Sequence, residues 1–189
     1  MKKLLIINGS PRKKGSDAVI CDIISKMVEE HGYESETIWA YDLGIGGCRA
    51  CMACKSTQKC VQKDCMNDML EKIKDADMLL LATPVYFLAE TGPFKNFIDR
   101  MYPLMRMNPD RTVTTFTGKP KKAAIVVTCG APDGNMIFAN IVTRYVNVLK
   151  MFGITDVSGA VIPAANPDTV AESPYLKDYL PQIEFQLEM

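Results

Sequence analysis

Four cysteines, Cys48, Cys51, Cys54 and Cys60, fall in the spacing C-x2-C-x2-C-x5-C directly after the glycine-rich turn Gly44-Ile45-Gly46-Gly47. Two residues between thiols let consecutive thiolates curl around a common centre, so that three can each hold one iron of a cubane. Cys60 would supply the fourth sulfur of a [4Fe-4S] cluster. Ala50 and Ala53 keep the spacers small, and Lys55, Lys59 and Lys63 lie close enough in sequence to offset thiolate charge. Zinc on Cys48, Cys51, Cys60 and Cys65 is the weaker metal reading, because it leaves Cys54 over at the heart of the motif. Reduced or disulfide-paired thiols are the remaining alternative.

A second chemical feature opens the chain. The apolar run Leu4 to Ile7 leads into Asn8-Gly9-Ser10-Pro11-Arg12-Lys13-Lys14-Gly15-Ser16-Asp17 and then a helical pattern. Hydroxyls, backbone amides and a guanidinium around a helix start make an anion site. Neither Gly-Lys-Ser/Thr nor G-x-G-x-x-G is present, so a mononucleotide phosphate fits better than a dinucleotide. The plain alternative is a tight turn capped by Ser16. Further on, Ala82-Thr83-Pro84-Val85-Tyr86-Phe87 and Thr128-Cys129-Gly130-Ala131-Pro132-Asp133-Gly134 follow two more apolar runs. Both would open at the carboxyl ends of strands, where open α/β sheets bind ligands. The Tyr86 ring and close backbone approach at Gly130 suit a flat heterocycle with polar edges. Each loop alone reads as a turn; with the phosphate loop they describe one crevice.

The elements that must position these loops are legible as patterns. Leu4 to Ile7, Met78 to Leu81, Ala123 to Val127 and Val157 to Ile162 lack alternation, as strands buried on both faces of a parallel sheet do. They are expected to be central or well covered. Glu34 to Trp39 mixes polar and apolar residues and is placed at an edge. Between them run helical stripes: Ile20 to His31 behind Ser16 and before Gly32; Met66, Met69, Leu70 and Ile73 behind Asp64; Phe94 to Met101 after Pro93; and Phe138 to Phe152, ending at Gly153. A weaker stripe, Leu176, Leu180, Ile183 and Leu187, predicts a last helix whose start Pro181 obscures. Pro103 to Pro120 reads as a long loop, of the kind that forms lids or interfaces.

The 189 residues fit a single domain able to bury roughly 70% of its unfolded surface. Lys+Arg and Asp+Glu balance at 22 each, which argues against nucleic acid or an anionic membrane surface as partner. No apolar run reaches membrane-spanning length and no signal peptide is evident. Seven cysteines, four at ligand spacing, argue for a reducing compartment, the cytoplasm, over a disulfide scaffold. His31, the only histidine, reads as a helix-terminal structural residue. Cys21 and Cys129 read as packing residues, and Asp99 and Arg100 as a helix or subunit contact. With no Ser/His/Asp or Cys/His arrangement, hydrolytic nucleophile chemistry has little support.

Together, Gly9-Ser10-Pro11-Arg12 with Gly15-Ser16, Pro84-Val85-Tyr86, and Phe94-Lys95-Asn96-Phe97-Ile98-Asp99-Arg100 resemble the NAD(P)H-dependent FMN reductase group of flavodoxin-like proteins. Adding Cys48, Cys51, Cys54 and Cys60 makes the chain similar to the iron-sulfur flavoprotein family. The match runs over about residues 1 to 135. It implies an α/β flavodoxin-like three-layer sandwich, a five-stranded parallel sheet in order 2-1-3-4-5, with the cysteine loop at about 44–65. It places FMN phosphate on Ser10, Arg12, Ser16 and Asp17, and the isoalloxazine between Pro84, Val85, Tyr86 and Phe87 and the Cys129-Gly130 loop. It implies a homodimer or dimer of dimers, with the cluster passing electrons to flavin. NAD(P)H or a ferredoxin-type protein would be the electron donor. Asp64-Cys65 stands where relatives often carry an acidic pair, so Cys65 competes with Cys60 as fourth ligand. The resulting expectation is an FMN-dependent oxidoreductase; its rivals are a cluster-free NAD(P)H-dependent FMN or quinone reductase and a non-enzymatic redox carrier or sensor.

Overall fold

The computed structural model describes residues 1–107, 113–116, 118–120 and 122–188. Five strands form the central sheet: β1 (Lys2–Asn8), β2 (Tyr33–Trp39), β3 (Met78–Pro84), β6 (Lys122–Thr128) and β7 (Asp156–Ile162), all parallel and ordered β2-β1-β3-β6-β7. A two-stranded antiparallel pair, β4 (Met105–Met107) and β5 (Val113–Phe116), stands apart. Counted among sheet strands alone, the order is 2-1-3-4-5, the flavodoxin-like arrangement expected from the sequence.

Why the strands read as unbroken apolar runs is visible in the core. Alternate residues go to opposite faces. Leu5, Ile7, Leu79, Leu81, Ile125 and Val127 meet one helical layer, α3 (Met66–Asp75), α4 (Gly92–Asp99) and α6 (Ala139–Met151). Leu4, Ile6, Leu80, Ala82 and Val126 meet the other, α1 (Ser16–Glu30) and α7 (Pro174–Glu188). Two one-turn helices, α2 (Cys54–Thr57) and α5 (Gly134–Ile137), complete the set. No helix of the described residues is long and apolar enough to cross a membrane.

Four expectations need correction. Val157 to Ile162 is not a central strand: β7 is the second edge, and only Val161 and Ile162 in it are fully buried. Its small residues Ser158, Gly159 and Ala160 carry too little side chain to demand cover on both faces. Ser16 is not the α1 cap. Gly15 occupies that position with extended backbone and no side-chain bond, and Ser16 is the first helical residue. Pro181 lies within α7 rather than near its start. The Pro103–Pro120 stretch is not wholly irregular, since it carries β4 and β5; residues 108–112 and 117 of it lie outside those described. His31 matches its structural reading, its Nδ1 within 2.9 Å of the Met27 carbonyl oxygen at the end of α1.

The turn after β1 is held tightly against the sheet and α4. Gly9 N–H donates to Ala82 O at 2.7 Å, and Thr91 Oγ1 donates to Gly9 O at 2.6 Å. A Cβ on Gly9 would lie 2.7 Å from the Cβ of Phe94, which is fully buried. Neither partner can yield without moving α4. Gly9→Ala should therefore destabilise the protein by about 1–3 kcal/mol, the cost of forced overpacking, as read by denaturant unfolding. An unchanged midpoint would mean that α4 moves freely here.

Candidate functional site

Two sites sit at the carboxyl end of the sheet, joined by α4. The first is a crevice of about 270 Å³ lined by Ser10, Arg12, Gly15, Ser16, Asp17, Pro84, Val85, Tyr86, Thr128, Cys129, Gly130 and Ala165. Nine of the ten cofactor positions expected from the sequence, all but Phe87, therefore meet around one space. The loop after β1 turns on itself: Ser10 N–H donates to Asn8 Oδ1 at 2.8 Å, and Arg12 N–H donates to Ser10 Oγ at 3.2 Å. Because Gly15 supplies no side-chain cap, the first amides of α1 keep their capacity for an external anion. Lys13 is committed elsewhere, paired with Asp42 and stacked 3.9 Å above the Trp39 ring. Arg12 is the cation that lines the crevice.

Opposite, Val85 N–H donates to Thr128 O at 2.7 Å, binding the loop after β3 to the end of β6. Tyr86 and Ala89 exchange backbone bonds and close a tight turn whose central residues, Phe87 and Leu88, both have left-handed backbone, φ 50° and 69°. That turn puts Phe87 at an exposed tip, 102% accessible, and not in the crevice. The lining adds Gly15 and Thr128, members of the two loops named from the sequence though not of the expected binding positions, and Ala165, which lies outside those loops. Ala165 is brought in by its N–H bond to Cys129 O at 2.9 Å, a contact across more than thirty residues that no local pattern announces.

Asp17 is the unusual member of this site. Its Oδ2 accepts a hydrogen bond from Thr128 Oγ1 at 2.9 Å. Its Oδ1 is buried without a partner. Burial pushes the carboxyl up to about 6, against the Thr128 bond, its own backbone N–H and the Arg12 charge. Cys129 is buried in the same wall and donates to Ala131 O at 3.6 Å; burial pushes its thiol up, as befits an un-ionised packing residue.

The second site is the cysteine loop. Cys48, Cys51, Cys54 and Cys60 all line one small cavity together with Arg49, Met52, Asp99, Arg100 and Tyr102. Cys65 does not: it packs at the edge of the core and its thiol donates to Leu43 O at 3.6 Å. Ala50 and Met52, on either side of Cys51, have left-handed backbone, φ 52° and 61°. Non-glycine residues occupy that region at a cost, and such strain concentrates where function demands a shape. Cys60 is fixed by Asn67, which accepts from Cys60 N–H at 2.8 Å and donates to Cys60 O at 2.9 Å. Burial pushes the Cys54 thiol up, and the neighbouring Cys48, Cys51 and Cys60 charges act the same way, partly offset by Lys55. Lys55 itself reaches over the Tyr102 ring and donates to Tyr102 O and Met105 O.

Arg100 underlies this loop. Only 1% accessible, it donates to both oxygens of Asp64 at 2.8 and 3.0 Å and to Gly46 O at 3.0 Å. Its Nε is buried without a nitrogen or oxygen partner and the Cys60 sulfur lies within its influence. The donor set fits an iron-sulfur centre in chemistry: four thiols around one cavity, left-handed backbone on either side of Cys51, and a buried guanidinium that interacts with Cys60. Among the described residues, no three potential ligands yet converge at coordinating distance.

The profile of the NADPH-dependent FMN reductase family matches residues 2–166. The chain belongs to that family. An iron-sulfur flavoprotein of Archaeoglobus fulgidus is 34% identical over 161 residues, covering 84% of this chain and 67% of its own length. Another from the same organism is 37% identical over 137 residues, covering 72% of this chain and 64% of its own. The chain thus matches about two thirds of these relatives' length and falls in the iron-sulfur flavoprotein branch of the family. Among solved structures, the NAD(P)H:quinone oxidoreductase from Methanothermobacter marburgensis shares the fold, with TM-score 0.74, 15% identity, and coverage of 95% of this chain and 96% of that one.

Burial raises the Asp64 carboxyl, but the Arg100 hydrogen bonds, the Met66 N–H and the guanidinium charge outweigh it and hold the group below the usual carboxylate range. The pair's contribution is therefore present above about pH 4 and is lost as pH falls through the depressed value. Asp64→Ala strands the Arg100 charge and should cost roughly 3 kcal/mol. Hydrogen exchange should rise across residues 44–65 while the sheet stays protected. Equal exchange in the wild type and Asp64→Ala would show that the pair does not hold the loop.

Proposed function

We propose that this protein is an FMN-dependent oxidoreductase that exchanges electrons between FMN in the crevice and a [4Fe-4S] centre on Cys48, Cys51, Cys54 and Cys60. The observation that carries this reading is that these four cysteines, and not Cys65, line one cavity at one end of α4, whose other end is tied through Thr91 to Gly9, next to the crevice residue Ser10. When bound, FMN supplies conversion between two-electron and one-electron steps and the cluster supplies single electrons.

The chain's own residues do the rest. Ser10, Arg12 and Ser16, with the first amides of α1, would hold the phosphate. Pro84, Val85 and Tyr86 on one wall and Cys129 and Gly130 on the other would flank the ring. A Cβ at Gly130 would meet nothing within 4 Å, so a ligand can approach its backbone closely. Arg100 would offset charge at Cys60, and Asn67 would fix the direction of that ligand. We read the whole chain as one FMN-binding domain in the cytoplasm, with no nucleic-acid or membrane partner. The exposed Phe87, Leu88 and Met136, in segments bordering the crevice, support a homodimer or dimer of dimers that covers them. NAD(P)H or a ferredoxin-type protein would donate electrons.

A second reading, a cluster-free NAD(P)H-dependent FMN or quinone reductase, is favoured by the match of residues 2–166 to the NADPH-dependent FMN reductase family. Variants separate the two. Cys48→Ala, Cys51→Ala, Cys54→Ala and Cys60→Ala should each lose the electron paramagnetic resonance signal of the anaerobically reduced protein while retaining FMN. Cys65→Ala should keep both. A full signal in Cys51→Ala would leave the cluster-free reductase. At the other site, Arg12→Ala should weaken FMN by about 1–3 kcal/mol, the range for losing a charged hydrogen bond, read by flavin fluorescence titration. Unchanged affinity would place the phosphate elsewhere.

A further inference from the structure

The phosphate end of the crevice contains a side chain of the wrong charge for its ligand. Asp17 is 2% accessible and lines the same space as Ser10, Arg12 and Ser16. One carboxyl oxygen accepts from Thr128 of β6, the other is buried without a partner, and the residue's own backbone N–H favours the ionised form against burial. Arg12, from the loop after β1, is the cation acting on it. Cys21, a turn further along α1, is the nearest other titratable group on its own helix. Burial, and then the Asp17 charge, push that thiol up, and Asn8 from β1 donates to its sulfur at 3.5 Å. Tyr86 and Cys129, from the loops after β3 and β6, complete the titratable groups lining the crevice.

A phosphate on the first turn of α1 would set its oxygens near an orphan carboxylate oxygen, acceptor against acceptor and negative against negative. An ionised carboxylate can only accept hydrogen bonds, whereas a protonated one donates. We propose that Asp17 serves this site as a neutral acid, its Oδ1 carrying the proton and donating it in a hydrogen bond to a phosphoryl oxygen, so that binding the phosphate ester takes up one proton. The inference rests on FMN occupying this crevice and deepens that reading. No bond to phosphorus forms or breaks; one solvent proton ends on Asp17.

The direction of the pH dependence follows. Without ligand the carboxyl titrates at about 6, raised chiefly by burial. A phosphate dianion beside it raises it further. Above pH 6 the free site is ionised and must gain a proton to bind, so affinity falls by about tenfold per pH unit until the bound-state value is reached. Below both values the site is already protonated and Asp17 adds no slope. The phosphate's own second ionisation, at about pH 6, is nearly complete by about pH 7, which leaves Asp17 as the titrating group above that point.

The test is calorimetric titration of the full chain with FMN between about pH 7 and pH 8.5, each point in two buffers of different ionisation enthalpy. Riboflavin, which lacks the phosphate, is titrated in parallel. The expected result is uptake of about one proton per FMN and a Kd rising about tenfold per pH unit. Riboflavin should show neither effect. Asp17→Asn should flatten the slope and bind FMN more tightly than the wild type at the alkaline end. The wild-type buffer comparison stands even if that variant fails to fold. A flat Kd without proton uptake in the wild type, or uptake persisting in folded Asp17→Asn, overturns the proposal. If the wild type shows no uptake but Arg12→Ala still weakens FMN, only the role of Asp17 fails. If Arg12→Ala leaves FMN binding unchanged, the crevice reading fails and takes this proposal with it.

Discussion

Burying the Arg100 guanidinium is the constraint around which the two sites are arranged. An almost inaccessible charge is tolerated only with several good acceptors. Asp64 and the Gly46 carbonyl provide them, and both belong to the segment that carries the cysteines. Arg100 directly follows α4, whose start is tied to the phosphate loop by Thr91 and packed there through Phe94. α4 is eight residues long, about 12 Å at helical rise. One short helix, anchored in the core by Phe94, Phe97 and Ile98, thereby links the cysteine loop to the crevice. A charge that must be satisfied at one end orders the loop that function needs there.

Backbone strain marks the same places. Six non-glycine residues have left-handed backbone among those described: Ala50, Met52, Gln58, Phe87, Leu88 and Ala164. Three lie in the cysteine loop, two form the turn after Tyr86, and Ala164 precedes the crevice residue Ala165. The sheet and long helices contain none of them. Each such residue costs about 1–2 kcal/mol relative to ordinary conformations, so the stable sandwich supports loops that would not hold these shapes alone. Gly15 shows the complementary device: by offering no cap, it leaves the amides of α1 for a ligand.

Much of this was legible in the sequence because it follows from local periodicity. Two-sided burial forces apolar runs in β1, β3 and β6, and one-sided burial forces the helical stripes. The cysteine spacing and the loop after β1 were likewise contiguous features. What escaped depends on contacts distant in sequence or on conformation finer than a pattern. Arg100 read as a helix or subunit contact because nothing local reveals its partners Asp64 and Gly46. Phe87 was expected beside the flavin ring with Pro84, Val85 and Tyr86, but a two-residue turn carries it to an exposed tip. Spacing favoured Cys60 as fourth ligand but left Cys65 in competition; packing turns Cys65 toward Leu43 and leaves Cys60 on the cavity. The orphan oxygen of Asp17 is a matter of burial, which spacing does not encode.

Two redox groups on one frame is the central claim, and their stoichiometry is its most direct measure. Protein purified without oxygen can be assayed for iron, acid-labile sulfide and released flavin in a single sample. The account predicts about four iron and about four sulfide for each FMN, with a broad visible absorbance beyond the flavin bands that bleaches on reduction. FMN at one per chain with neither iron nor sulfide would contradict it.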